Sequence, residues 1–80
     1  MASYKILKQV DGLENVLNMA RHEAKRHYSK RLTDELKEIH YQRLEAICET
    51  LETLGIVDSA EELLGDLLQG AWEESQKCNS

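Results

Sequence analysis

The sequence predicts an all-α fold: a small antiparallel bundle of three helices, with an N-terminal arm or short extra helix, that dimerises. Three observations predict it. The 80 residues contain no proline and only four glycines, none of them between Gly12 and Gly55. A sandwich or barrel needs many more turn residues. Apolar residues recur at three- and four-residue steps in three separate stripes, the spacing that lines one face of a helix. The stripes also begin or end on capping signals. The length allows one domain at most. Ordering such a chain costs on the order of 1.5 kcal/mol per residue, and one small core barely offsets that. The core therefore calls for efficient packing or a partner subunit, and a homodimer is the expected state.

Residues 1–12 are the least determined part. Tyr4, Leu7 and Val10 share a helical face, whereas a strand fits poorly, so the segment reads as a short helix or a docked arm. The first long helix is expected over 13–31, with Leu13, Val16, Leu17, Ala20, Ala24 and Tyr28 as its apolar stripe. Asp11 and Glu14 suit the positive end of the helix dipole, and Lys25, Arg26, Lys30 and Arg31 suit the negative end. The second helix is expected over 33–54. Thr33 can cap it, and its stripe is Leu32, Leu36, Ile39, Leu44, Ile47, Leu51 and Leu54. One unbroken helix through both segments is the alternative. Gly55 suits a left-handed C-cap, with Ile56 packing back on the last turn. The third helix is expected over 59–76. Ser59 and Glu62 read as a capping box, and the stripe is Ala60, Leu63, Leu64, Leu67, Leu68, Ala71 and Trp72. Residues 77–80 form a polar tail.

Charge is the most informative feature. The net charge of −5 hides a polarised chain. Residues 1–33 hold seven Lys/Arg against three acids, and residues 34–80 hold three against twelve. On the first helix Arg21, Lys25, Arg26 and Lys30 spread opposite the apolar stripe. Such a cationic face can grip phosphates or an acidic protein. On the second helix Asp34, Glu38, Glu45, Glu49 and Glu52 gather on one side, and Asp58, Glu62 and Asp66 do so on the third. A solvated face that keeps the chain soluble explains these acids simply. The sharper reading is a surface that docks a basic partner.

Three further residues stand out. His40 interrupts the second stripe near its centre, where a hydrogen-bonded core histidine is the ordinary explanation. Arg43 lies at the stripe's edge and can reach a carboxylate on a neighbouring helix or a second subunit. Trp72 reads as core or as an interface anchor. All three are candidate interface residues.

Catalytic and metal-binding patterns are missing. His22, Glu23 and His27 resemble a zinc motif only superficially, because histidines five apart point about 140° away from each other on a helix. A Glu23–His27 surface pair is the plainer expectation. No Gly-rich phosphate loop or nucleophile elbow occurs, so no catalytic residue, cofactor or metal is expected. Only Cys48 and Cys78 are present, with no disulfide framework, which suits a reducing, cytoplasmic setting. No signal peptide or membrane span is evident.

The function expected from these features is that of a small non-enzymatic helical regulator, an adaptor or inhibitor. It would bind a protein through its charge-polarised faces. The alternative is a nucleic-acid-binding transcriptional regulator that uses the basic face of residues 21–31. A membrane partner is not expected.

Overall fold

The computed structural model describes residues 4–77. Three helices follow in order: α1 (Leu13–His27), α2 (Asp34–Thr53) and α3 (Ala60–Lys77), with no strand among the described residues. The tail expected over 77–80 is corrected at its start, because Lys77 closes α3; the remaining tail positions, Cys78 included, lie outside the described residues.

Residues 4–12 form an arm, not a helix, and the first three residues of the expected segment lie outside the described residues. The arm runs past the α2–α3 connection and touches it through one antiparallel bridge, Ile6 to Val57. Leu7 N–H donates to the Ile56 carbonyl at 2.7 Å, and Asp58 N–H donates to the Lys5 carbonyl at 3.0 Å. The Asp58 carboxylate in turn accepts from Lys5 N–H at 2.7 Å. Glycine then turns the arm into α1: Gly12 sits at φ 83°, a left-handed conformation that costs any residue with a Cβ.

α1 is shorter than its charge pattern suggests. It stops at His27, not at residue 31, because the backbone tightens there: Tyr28 N–H reaches the Lys25 carbonyl and Ser29 N–H reaches that of Arg26. Ser29 Oγ then accepts from Arg31 N–H at 3.3 Å, a local turn that competes with helix. The single-helix alternative fails at Thr33. Its backbone is extended, at ψ 162°, and its hydroxyl oxygen accepts from Leu36 N–H to cap α2.

The other end of α2 is a Schellman motif. Gly55 takes φ 74° and donates to the Glu52 carbonyl at 2.9 Å, while Ile56 N–H donates to that of Leu51 at 2.9 Å. Ile56 is buried and belongs to the same apolar cluster as Leu51. Ser59 Oγ accepts from Glu62 N–H at the start of α3. A second cap comes from α2 itself, since Glu52 accepts from Ala60 N–H at 2.7 Å.

The core gathers Leu13, Leu17, Ala20 and Ala24 of α1, Leu44, Cys48 and Leu51 of α2, Leu63, Leu67 and Ala71 of α3, and Ile56 and Val57 between them. Ala20 and Ala24 are fully buried, so their short side chains let neighbouring helices approach α1 closely. No polar or charged residue among those described is buried.

The expected stripe of α2 needs correction. Leu36 and Ile39 are each 43% exposed and Leu54 is 58% exposed. At 100° per residue they lie roughly 80–140° around the helix from Leu44. Cys48 holds the inward position instead. Trp72 is also not core, at 47% exposure.

Candidate docking surfaces

An acidic groove lies between α2 and α3. Glu45, Glu49 and Glu52 enter it from α2 and Glu61 from α3, over a floor of Cys48, Ala60 and Leu64, and its volume is about 330 Å³. No cation lines it. The last turn of α2 carries no basic residue, so Glu49 and Glu52 stand against the negative end of their own helix dipole. The tertiary fold offsets this once, where Glu52 takes the Ala60 amide. Burial first, then the charges of Glu45 and Glu49, push the Cys48 thiol from 9.0 up to about 11. That thiol stays protonated near neutrality and is a poor nucleophile.

The remaining acids are dispersed. Asp34 and Glu38 are exposed on the first turns of α2. Asp58 is engaged by the arm. Glu62 N–H bonds the Ser59 cap. Asp66 lies on the opposite side of α3, in a cleft shared with Arg21, Lys25 and Glu74. The expected acidic face therefore condenses to Glu45, Glu49 and Glu52. Glu61 joins them, a residue that the helical pattern of α3 alone did not single out.

The basic face is divided as well. Arg21 bonds Glu14 at 3.2 Å and Asn18 at 2.6 Å, and Lys25 pairs with Glu74 at 3.3 Å. Arg26 and Lys30 are exposed and have no ion pair with a described residue. Lys25, Lys30 and Arg31 edge a cleft of about 410 Å³ whose other walls include Tyr28, Ala71 and Glu74.

His40 does not face outward. Its Nδ1 donates to Glu23 Oε2 across the α1–α2 seam, with the two side chains only 12% and 19% exposed. The carboxylate can only accept, which fixes the proton on Nδ1. The expected Glu23–His27 pair is thus replaced. His27 Nδ1 donates instead to the Lys37 carbonyl at 3.0 Å, and its ring stands 5.0 Å from that of Tyr28 and 5.2 Å from that of Tyr41. Helical spacing alone cannot reveal that α2 supplies a better partner to each residue. Arg43, by contrast, is exposed and has no ion pair with a described residue.

A third surface was not visible in the sequence. Val10, Val16, Ala46, Ile47, Thr50 and Leu54 line most of an apolar groove of about 320 Å³ between the start of α1 and the C-terminal half of α2.

No group of three or more His, Cys, Asp or Glu among the described residues is placed to hold a metal ion. None of their helices is long and apolar enough to cross a membrane. No protein-family model, curated protein or solved structure matches the chain.

Proposed function

We propose that this chain is a small non-enzymatic regulator of the cytoplasm that acts by docking a cationic protein on the groove between α2 and α3. One observation carries the reading: Glu45, Glu49, Glu52 and Glu61 line a single groove with no cation among its lining residues. Like charges at helical spacing cost roughly 0.2–0.5 kcal/mol per pair. A lysine- or arginine-rich segment laid in the groove relieves that repulsion. Such complementarity speeds encounter and excludes wrong partners more than it adds affinity. The apolar floor of Leu64 and Ala60 gives the stems of those side chains something to cover. The regulator is a homodimer in this reading, its small core supplemented by a subunit interface.

Affinity capture with the full chain tests the docking claim. Glu45→Lys with Glu61→Lys should abolish capture of a basic protein and leave the helical circular dichroism unchanged. Capture that persists through the double substitution refutes the groove as the docking site.

The alternative, nucleic-acid binding by residues 21–31, draws support from Arg26 and Lys30, which have no ion pair with a described residue, and from the cationic rim of Lys30 and Arg31. It weighs less because Arg21 and Lys25 already have carboxylate partners and the acidic half of the molecule repels a polyanion. A gel shift that weakens with salt and vanishes in Arg26→Glu with Lys30→Glu would favour it over the protein partner.

A further inference from the structure

The apolar floor of the acidic groove continues beyond the groove itself. Leu64 lies in that floor, and the next two helical steps along α3 carry Leu68 and Trp72. With Glu61 these residues fall within roughly 80° of arc, about 100° from the buried arc of Leu63, Leu67 and Ala71. Leu64 and Leu68 are half-buried, and Trp72 is 47% exposed. From Glu61 to Trp72 the row covers about 16 Å, or about three turns. Isolated exposed apolar residues need no explanation, but an apolar row joined to a charged groove marks a docking surface.

The surroundings of the row set the charge of its occupant. Glu45, Glu49, Glu52 and Glu61 stand around Leu64. Asp34 and Glu38 continue the same arc of α2, roughly 60° wide, and both are exposed. None of these carboxylates has an ion pair with a described residue. The far end of the row has the opposite sign. Ser75, about one turn past Trp72, edges the cleft that carries Lys30 and Arg31. A cationic segment is therefore attracted at the Glu61 end and repelled beyond Trp72.

The arrangement also sets the occupant's shape. The carboxylates lie beside the apolar row, not opposite it. An extended segment sends successive side chains to opposite faces, so its apolar and cationic groups cannot both press on such a surface. An amphipathic helix borders its apolar stripe with charged residues on the same side. Its apolar side chains can cover Leu64, Leu68 and the Trp72 indole while its lysines and arginines reach the carboxylates alongside.

We infer that the surface running from the acidic groove to Trp72 takes a cationic amphipathic helix of about three turns. Leu64, Leu68 and Trp72 seat its apolar stripe, and Glu45, Glu49, Glu52 and Glu61 take its lysines and arginines. The inference rests on the acidic-groove reading proposed above and adds the form of the partner and its apolar anchor.

Trp72 is the only tryptophan in the chain, so its fluorescence reports the contact directly. The probe is a synthetic peptide of about 14 residues, built from leucine and lysine with the leucines at helical spacing. The controls are a peptide of the same composition in strict alternation and an oligolysine of equal charge. Titrated into the full chain at low salt, the helical peptide should shift the Trp72 emission to shorter wavelength. It should also bind about tenfold or more tighter than either control. Calorimetry with Trp72→Ala, at an exposed position, should show a loss of about tenfold or more with unchanged helicity. Equal affinity for the three peptides overturns the inference. So does helical-peptide binding that leaves both the emission and the Trp72→Ala affinity unchanged; if that binding is still lost in Glu45→Lys with Glu61→Lys, the acidic groove stands without the row. Helical-peptide binding that ignores Glu45→Lys with Glu61→Lys overturns the groove and the inference together.

Discussion

The seam between α1 and α2 makes the sharpest quantitative prediction. His40 and Glu23 are the only oppositely chargeable pair among the described ion pairs with both side chains largely shielded. Glu23→Ala leaves a partly buried imidazole without its acceptor, and His40→Ala leaves a carboxylate without its donor. A hydrogen bond involving a charged group contributes about 1.5–3 kcal/mol, and stranding one partner costs a similar amount. Each single substitution should therefore lose about 2 kcal/mol. The double substitution should lose well under the sum, because neither group is then stranded. The coupling energy from the four proteins should be about 1–2 kcal/mol. In a domain of this size, 2 kcal/mol corresponds to a melting temperature lower by roughly 8–16 °C. Urea unfolding followed by far-ultraviolet circular dichroism at pH 7 gives the free energies, with an unchanged m-value as the check that the unfolded reference is constant. Additive losses, with coupling near zero, would show that the two groups are merely adjacent.

Three other outcomes follow from the same geometry. Gly55→Ala should destabilise the chain by about 1–2 kcal/mol through its positive φ, even though open space surrounds the new methyl group; a neutral result in urea unfolding would contradict the left-handed cap. Leu44, fully buried among all three helices, should lose about 3 kcal/mol on Leu44→Ala, and a loss under about 1 kcal/mol would mean that the site collapses around the truncation. In a Cys78→Ser background, Cys48 should alkylate at pH 8 about 100-fold more slowly when folded than in urea, because its thiol stands about two units above the ordinary 9.0. The sign for stability follows: the raised folded value stabilises the chain below pH 9, and that contribution is lost as pH rises through 9 towards 11. Equal alkylation rates in the folded and unfolded chain would refute the burial.

The parts of the fold legible in the sequence are those set by local chemistry. Gly55 with Ile56, Thr33 before an acidic turn and Ser59 before Glu62 each announce a helix boundary within a few residues, because a cap is a contact between near neighbours. The stripes of α1 and α3 read correctly for most members, since each is buried along a single arc. α2 misled for a physical reason. Periodicity marks every apolar residue at helical spacing but not which arc meets another helix, and only two helices are available to cover it. Ile39 and Leu54 therefore remain exposed and Cys48 lies inside. The end of α1 misled because Lys30 and Arg31 resemble a dipole-matched last turn, whereas the helix has already closed at His27.

Among candidate site residues, a single helix face was readable and a surface built from two helices was not. Glu45, Glu49 and Glu52 are found together in the groove, but Glu61 joins them only through the packing of α3. Asp58 and Asp66 leave the set for the same kind of reason, one held by the arm and the other turned toward α1. His40 pairs with a residue 17 positions away, and no local pattern encodes that contact.

The most direct test of the docking claim is the affinity of the captured partner for wild type and for Glu45→Lys with Glu61→Lys, measured by calorimetry across a range of ionic strength. The acidic groove predicts wild-type binding that weakens steeply as salt screens it, and a loss of about 100-fold or more in the double variant at low salt. Equal affinities for the two proteins, insensitive to salt, would contradict it.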